Sequence, residues 1–187
     1  SIGDVMGMVL QEPFLFSKSV LDNIRYNTLN ATRDEVVEAC KIIGAHDFVM
    51  QLENSYDTVL EQRGSNLSIG QRQLLSFARA LVADPKILVL DEATANIDSY
   101  TERIIQDALK KLLEGRTALV IAHRLSTIRN SNKIIVLRDG EIIEMGAHNE
   151  LVASSGLYSQ LWNTNYTSFD DIAGNDDKMI SAPVSST

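Results

Sequence analysis

Ile87-Leu88-Val89-Leu90 is an unbroken apolar run that stops on two acids, Asp91 and Glu92. A strand buried on both faces reads this way, and such strands belong to parallel sheets covered by helices. Parallel neighbours need long crossover connections, so this short run commits the chain to an α/β architecture. Ligands of open α/β sheets sit beyond the carboxyl ends of the strands, which is where the run delivers its carboxylates. Just upstream, Asn66-Leu67-Ser68-Ile69-Gly70-Gln71-Arg72-Gln73 opens a helix that Asp84-Pro85 closes. A helix N-terminus offers unsatisfied N–H groups and a positive dipole end to an anion. An anion-facing helix start therefore precedes a metal-and-base pair.

Around that unit the pattern divides. Val5 to Leu10 predicts a short buried strand, ended by Gln11-Glu12-Pro13 because the proline makes Glu12 extended. Thr32-Arg33-Asp34-Glu35 has the form of a capping box, with Val36, Val37, Ala39, Cys40 and Ile43 behind it and Gly44 as the stop. Phe48, Val49 and Leu52 predict another short helix. Leu74, Phe77, Ala78 and Leu81 recur at i, i+3, i+4 and i+7, one face of a helix.

Strands and helices then alternate. Asp98 or Ser99 caps a helix carrying Ile104, Ile105, Ala108, Leu109, Leu112 and Leu113, which Gly115 ends. Thr117 to Ala122 is the next strand. Ile134 to Leu137 and Ile142 to Ile143 flank Asp139-Gly140, a hairpin turn, and 149–162 holds short helices around Gly156. From Asn163 the apolar content is too low to offset chain entropy, so a disordered tail is expected. The expected layout is a core strand and loop over 1–14, a helical subdomain over 15–80, an α/β core over 81–162 and a tail over 163–187.

Composition excludes several classes. No apolar stretch in the 187 residues approaches a membrane span, and no basic-then-apolar leader opens the chain. Ser1 runs almost at once into a strand, which reads as part of a longer protein. A net charge of −8 argues against non-specific nucleic-acid binding. Cys40 is the one cysteine, so no disulfide framework or thiolate cluster exists, and a reducing compartment is expected.

The candidate site residues follow from chemistry. Asp91 suits Mg²⁺, a hard cation that takes one or two carboxylates plus phosphate oxygens and waters. Glu92 suits orienting and deprotonating an attacking water. Ser68 adds a hydroxyl donor to its helix start, and Gly70 lets backbone approach phosphate. His123 follows a strand end and is placed to donate to a γ-phosphate or to the water. The bland alternatives are a solvated acidic turn, an ordinary Ser-capped helix and a structural histidine. His46 and His148 receive only the bland reading.

Together these motifs resemble the nucleotide-binding domain of ATP-binding-cassette (ABC) transporters of the exporter type. The matched segments run from about Val9 to about Trp162. The resemblance implies a P-loop NTPase-type open parallel sheet with an inserted helical subdomain. It makes Asp91 similar to the Walker B aspartate, Glu92 to the catalytic glutamate and His123 to the switch histidine. Ser68-Ile69-Gly70-Gln71 resembles the signature loop, which usually reads Ser-Gly-Gly-Gln, so Ile69 departs from the pattern. Gln11 resembles the Q-loop glutamine, which senses Mg²⁺. Pro13 to Ser17 would face a membrane domain, although core packing is the competing role for Phe14 and Phe16. Asp98 resembles the D-loop aspartate, a role compatible with capping.

The implied cofactors are ATP and Mg²⁺. The implied partners are a second nucleotide-binding domain, in a homodimer or heterodimer, and a transmembrane domain fused upstream, on the cytoplasmic face of a cell membrane. One motif is missing. The family's phosphate loop, Gly-x-x-x-x-Gly-Lys-Ser/Thr, requires a Gly-Lys pair, and none occurs here. The Gly64 and Gly70 spacing is one residue too long, and Gln71 follows instead of lysine. The sheet is therefore expected to be incomplete, without its first part. A hydrolase as part of a longer exporter is the leading reading. A truncated module lending only a signature loop to a partner, and a soluble ABC ATPase, are the alternatives.

Overall fold

A computed structural model describes residues 5–91, 98–122 and 125–164. They fall in two compact units, Ser1–His123 and Arg124–Thr187. The expected disordered tail lies outside the described residues from 165 onward.

The first unit is built on three parallel strands, β1 (Met6–Val9), β2 (Ile87–Asp91) and β3 (Thr117–Ile121), with β2 in the middle. Between β1 and β2 lie α1 (Val20–Ile24), α2 (Arg33–Ile43), α3 (His46–Met50) and α4 (Ile69–Ala83), and α5 (Ser99–Leu113) joins β2 to β3. The helix boundaries are local chemistry. The Thr32 hydroxyl accepts from the Glu35 N–H at 3.3 Å while Glu35 accepts from the Thr32 N–H at 2.7 Å. Gly44 closes α2 at φ +81°, a conformation that costs glycine nothing. Asp98, not Ser99, caps α5 by accepting from the Thr101 N–H.

Periodicity then decides what is buried. Val36, Cys40 and Ile43 on α2, Leu74, Phe77 and Ala78 on α4, and Ile105, Leu109 and Leu112 on α5 share one core with Val9, Leu88 and Leu90. Each fully buried aliphatic side chain there contributes roughly 1.5–3 kcal/mol relative to exposure. The Lys111 ammonium donates to the Ile42 carbonyl at 2.7 Å, fastening α5 to the end of α2.

The strands differ from expectation. β2 was expected to be buried on both faces, yet only the sheet face bearing Val9, Leu88 and Leu90 is covered, because it alone shares the helical core. On the other face Met8 is 63 % exposed, Leu119 58 % and Ile121 53 %. The register places Met8 beside Val89 and Val89 beside Leu119, so this apolar face is continuous. Among the described residues nothing covers it.

The second unit holds α6 (Leu125–Arg129), the antiparallel pair β4 (Ile134–Arg138) and β5 (Glu141–Gly146), α7 (His148–Ala153) and a helical segment over 157–164. Asp139 at φ +53° and Gly140 at φ +84° form the hairpin turn, whose backbone twist suits two strands joined by two residues. Ile134, Leu151 and Tyr158 make its small core. The Glu144 carboxylate accepts the Leu157 N–H at 2.5 Å and the Tyr158 N–H at 3.2 Å, satisfying two donors at the start of the last helix.

Candidate nucleotide site

Three chain exits meet at one edge of the first unit's sheet. Val9 pairs with Leu90, and Asp91 pairs with Ile121, so β1, β2 and β3 end at nearly the same level. Gln11 follows β1 there and is exposed; Asp91 is the last residue of β2 and is half-buried. The fold thus brings Gln11 and Asp91 to the carboxyl edge of adjacent strands. Asp91 also borders a small space shared with Val9, Gln73, Phe77, Leu90 and Ile105. Glu92, immediately after Asp91, and His123, two residues beyond Ile121, lie outside the described residues. So do Ala95, Asn96 and Ile97 of the expected D-loop.

Ser68, Gly70 and Gln71 form a second locus at the start of α4. The Gln71 N–H donates to the Ser68 hydroxyl at 3.2 Å, and the Gln71 side-chain oxygen accepts the Ser68 N–H at 2.9 Å. This reciprocal box occupies two of the loop's backbone donors. The N–H groups of Ile69 and Gly70, together with the Ser68 hydroxyl proton, have no partner among the described residues. They are the donors an anion would meet. Ile69, the departure from the usual pattern, turns outward and is 45 % exposed.

Gly70 was expected to be glycine so that phosphate could approach. The fold gives that position a different neighbour: a Cβ on Gly70 would collide with the Thr101 methyl and touch Ile105. Asp98 stands one step away, with its carboxylate held below the usual range chiefly by the Thr101 N–H and then by the Thr101 hydroxyl. The second locus therefore unites Ser68, Gly70 and Gln71 with Asp98, through Thr101.

A third cluster was missed in the sequence. Asn23 is fully buried in α1, accepts the Phe16 N–H at 2.8 Å and donates to the carbonyls of Phe16, Lys18 and Ser19. It locks the segment after Gln11 into one shape. Phe14 is half exposed and meets Phe16 edge to face, Phe16 stacks on Tyr26 at 4.3 Å, and Lys18 lies over Tyr26. Between the two phenylalanines, Leu15 is the residue that fills the core. A buried asparagine in a five-residue helix has no periodic signal, although Ser19 before Val20 is a helix-cap signature that marks where α1 begins.

The remaining histidines have structural partners. His46 meets the Tyr56 hydroxyl at 2.9 Å, and His148 meets the Tyr158 hydroxyl at 2.8 Å while packing on Trp162. Cys40 is buried, and desolvation pushes its thiol up to about 11, so it is inert.

With Gln11 and Asp91 at one strand edge and Ser68 capping the helix that leads to it, comparison with known proteins decides the family. The family described as "ABC transporter" matches residues 1–95. The chain belongs to the ABC transporter family.

Its relatives include ABC transporter ATP-binding proteins and a solved ABC exporter. "Uncharacterized ABC transporter ATP-binding protein YfiC" of Bacillus subtilis (strain 168) is 52 % identical over 161 residues, which cover 86 % of this chain and 27 % of that protein. "Mitochondrial potassium channel ATP-binding subunit" of Mus musculus is 46 % identical, covering 85 % of this chain and 22 % of that one. The solved "Structure of a bacterial Atm1-family ABC exporter with ATP bound" superimposes with a TM-score of 0.78 at 40 % identity, over 87 % of this chain and 28 % of that one. The chain thus spans about a quarter of the length of the proteins it matches. It is part of an exporter-type ABC nucleotide-binding domain, with the α/β fold of that family. No helix among the described residues is long and apolar enough to cross a membrane.

Proposed function

We propose that the full-length protein is an ATP-hydrolysing exporter subunit on the cytoplasmic face of a cell membrane. This chain supplies the hydrolytic residues of its ATP-binding domain. The observation that carries the reading is the register of β1, β2 and β3, which brings Gln11 and Asp91 to one strand edge where phosphate ligands bind.

The described residues contain no cluster of three or more metal-binding side chains, so a protein cage for zinc or calcium does not fit them. One exposed-edge carboxylate with a neighbouring amide does fit Mg²⁺, which keeps several waters and takes phosphate oxygens. Asp91 and Gln11 would hold it. When bound, Mg²⁺ supplies neutralisation of charge on the β- and γ-phosphate oxygens. Glu92 orients the attacking water and accepts its proton. His123 donates to the γ-phosphate, steadying charge as the bond to the leaving oxygen breaks.

Ser68, with the N–H groups of Ile69 and Gly70, contacts the nucleotide held by a second nucleotide-binding domain. Gln71 shapes that loop, and Asp98 anchors the D-loop beside it. The exposed Phe14 and Tyr26, set around the rigid Asn23 segment, are the contact for a transmembrane domain of the same protein. The uncovered sheet face of Met8, Leu119 and Ile121 is the place for the part of the domain that carries the phosphate loop.

Steady-state hydrolysis of Mg-ATP by the full-length protein in lipid is the test, with Glu92→Gln as the variant. Glutamine keeps the shape and loses the base, so turnover should fall by at least ~10²-fold with nucleotide binding intact. A variant that keeps half of the parental rate places the base elsewhere.

A further inference from the structure

The first turns of α4 and α5 touch at one point. Gly70, in the first turn of α4, is buried, and the place a side chain would take is filled by the Thr101 methyl, too close by about 1 Å for two carbon atoms. Ile105 closes the same place from one turn further along α5. The methyl cannot swing away at no cost. The Thr101 N–H donates to the Asp98 carboxylate at 2.9 Å, which fixes the start of α5 that carries this side chain. A β-branched side chain on a helix has few rotamers, and the one held here aims the methyl at Gly70.

The contact reaches the donors that matter. Ser68 and Gln71 satisfy each other in the reciprocal box, which leaves the Ile69 and Gly70 N–H groups to face an anion. Whatever sets the height of Gly70 against α5 therefore sets where those N–H groups point. We propose that Thr101 is a positioning residue for the signature loop, and that glycine stands at position 70 because the Thr101 methyl occupies the space of its side chain. Asp98, Thr101 and Gly70 then move as one piece, so displacement at the Asp98 end of α5 carries the phosphate-facing loop with it. The inference rests on the reading of Ser68 to Gln71 as a nucleotide-contacting loop, but the contact itself does not.

The experiment uses the full-length protein with Gly70→Ala, Thr101→Ser and the double variant. Serine keeps the hydroxyl and the N–H bonded to Asp98, and removes only the methyl that blocks position 70. Gly70→Ala alone should push the first turn of α4 off α5 by about 1 Å and lower kcat for Mg-ATP by about 10²-fold. The affinity of the same subunit for nucleotide, which does not use this loop, should stay level. Adding Thr101→Ser to Gly70→Ala should restore kcat to within about threefold of Thr101→Ser alone, a strong coupling for two residues in contact. A double variant as slow as Gly70→Ala overturns the proposal, because the glycine is then required by the ligand. Parental turnover by Gly70→Ala overturns it equally.

Melting temperature is read in parallel. If Gly70→Ala fails to fold and the double variant folds, the packing constraint is upheld; if both fail to fold, it is overturned. Should the parental protein hydrolyse no ATP, the functional reading has failed. Recovery of melting temperature in the double variant then still decides whether Thr101 sets position 70.

Discussion

Arg79 on α4 donates from Nε to the backbone carbonyl of Asn23 on α1 at 2.8 Å. Its Nη1 reaches the Phe14 carbonyl at 3.0 Å, and its Nη2 approaches the Asn23 side-chain oxygen at 3.4 Å. The bonds recorded for this guanidinium go to oxygens of uncharged groups, and burial makes its charge harder to hold. Such an arrangement persists only where the geometry is worth more than desolvation. Here it ties the helix that follows Ser68 to the segment that follows Gln11.

Asn23→Ala is therefore expected to cost about 3 kcal/mol, since it strands the Phe16 N–H and the carbonyls that its amide served. Arg79→Lys should cost about 1–2 kcal/mol, because an ammonium cannot span three separated oxygens. The two changes share partners and should be non-additive. Denaturant midpoints of the intact ATP-binding domain, for both single variants and the double, measure this. An Asn23→Ala midpoint equal to the parental one would show that water replaces the network.

The 187-residue chain by itself should not bind Mg-ATP more tightly than about 100 μM, close to −5.5 kcal/mol. It has no Gly-Lys loop, and the Ile69 and Gly70 N–H groups replace only part of such a cradle. Titration calorimetry with millimolar nucleotide checks it. Stoichiometric binding in the low micromolar range would show that the strand edge around Asp91 suffices.

Glu35 predicts a pH dependence. The Thr32 N–H, and then the Thr32 hydroxyl, hold its carboxylate below the ordinary glutamate value of 4.5. A carboxylate depressed in the folded state contributes stability above its unfolded value and loses it as pH falls through the folded one. Glu35→Gln preserves the capping geometry without a titrating group. The stability difference between parent and variant should stay level from pH 7 to about 5, then shrink as the pH drops below 4.5. Urea unfolding across that range reads it out, and a difference that stays constant to pH 3 would mean that Glu35 is not depressed.

Much of this protein was legible in local sequence, and for a common reason. A capping box, a left-handed stop and a two-residue hairpin are decided within a few residues, so Thr32 with Glu35, Gly44, and Asp139-Gly140 all stand where their spacing put them. The same holds for Asp91, the last residue of β2, because a strand must end somewhere and the apolar run stops there. Family membership was legible too, since the motifs occur in order along the chain.

Tertiary structure decided what depends on partners distant in sequence. Asn23 looks like a surface residue until Arg79 arrives from α4, and a five-residue helix carries too few turns to show an apolar face. The apolar run of β2 promised burial on two faces, but α4 and α5 both pack on one, which no pattern within a strand can reveal. The clearest case is Gly70. The sequence by itself determined that a glycine stands at the start of α4, whereas only the packing of α5 decided what fills its missing side chain, because a Cβ is excluded by whichever atom the fold brings there.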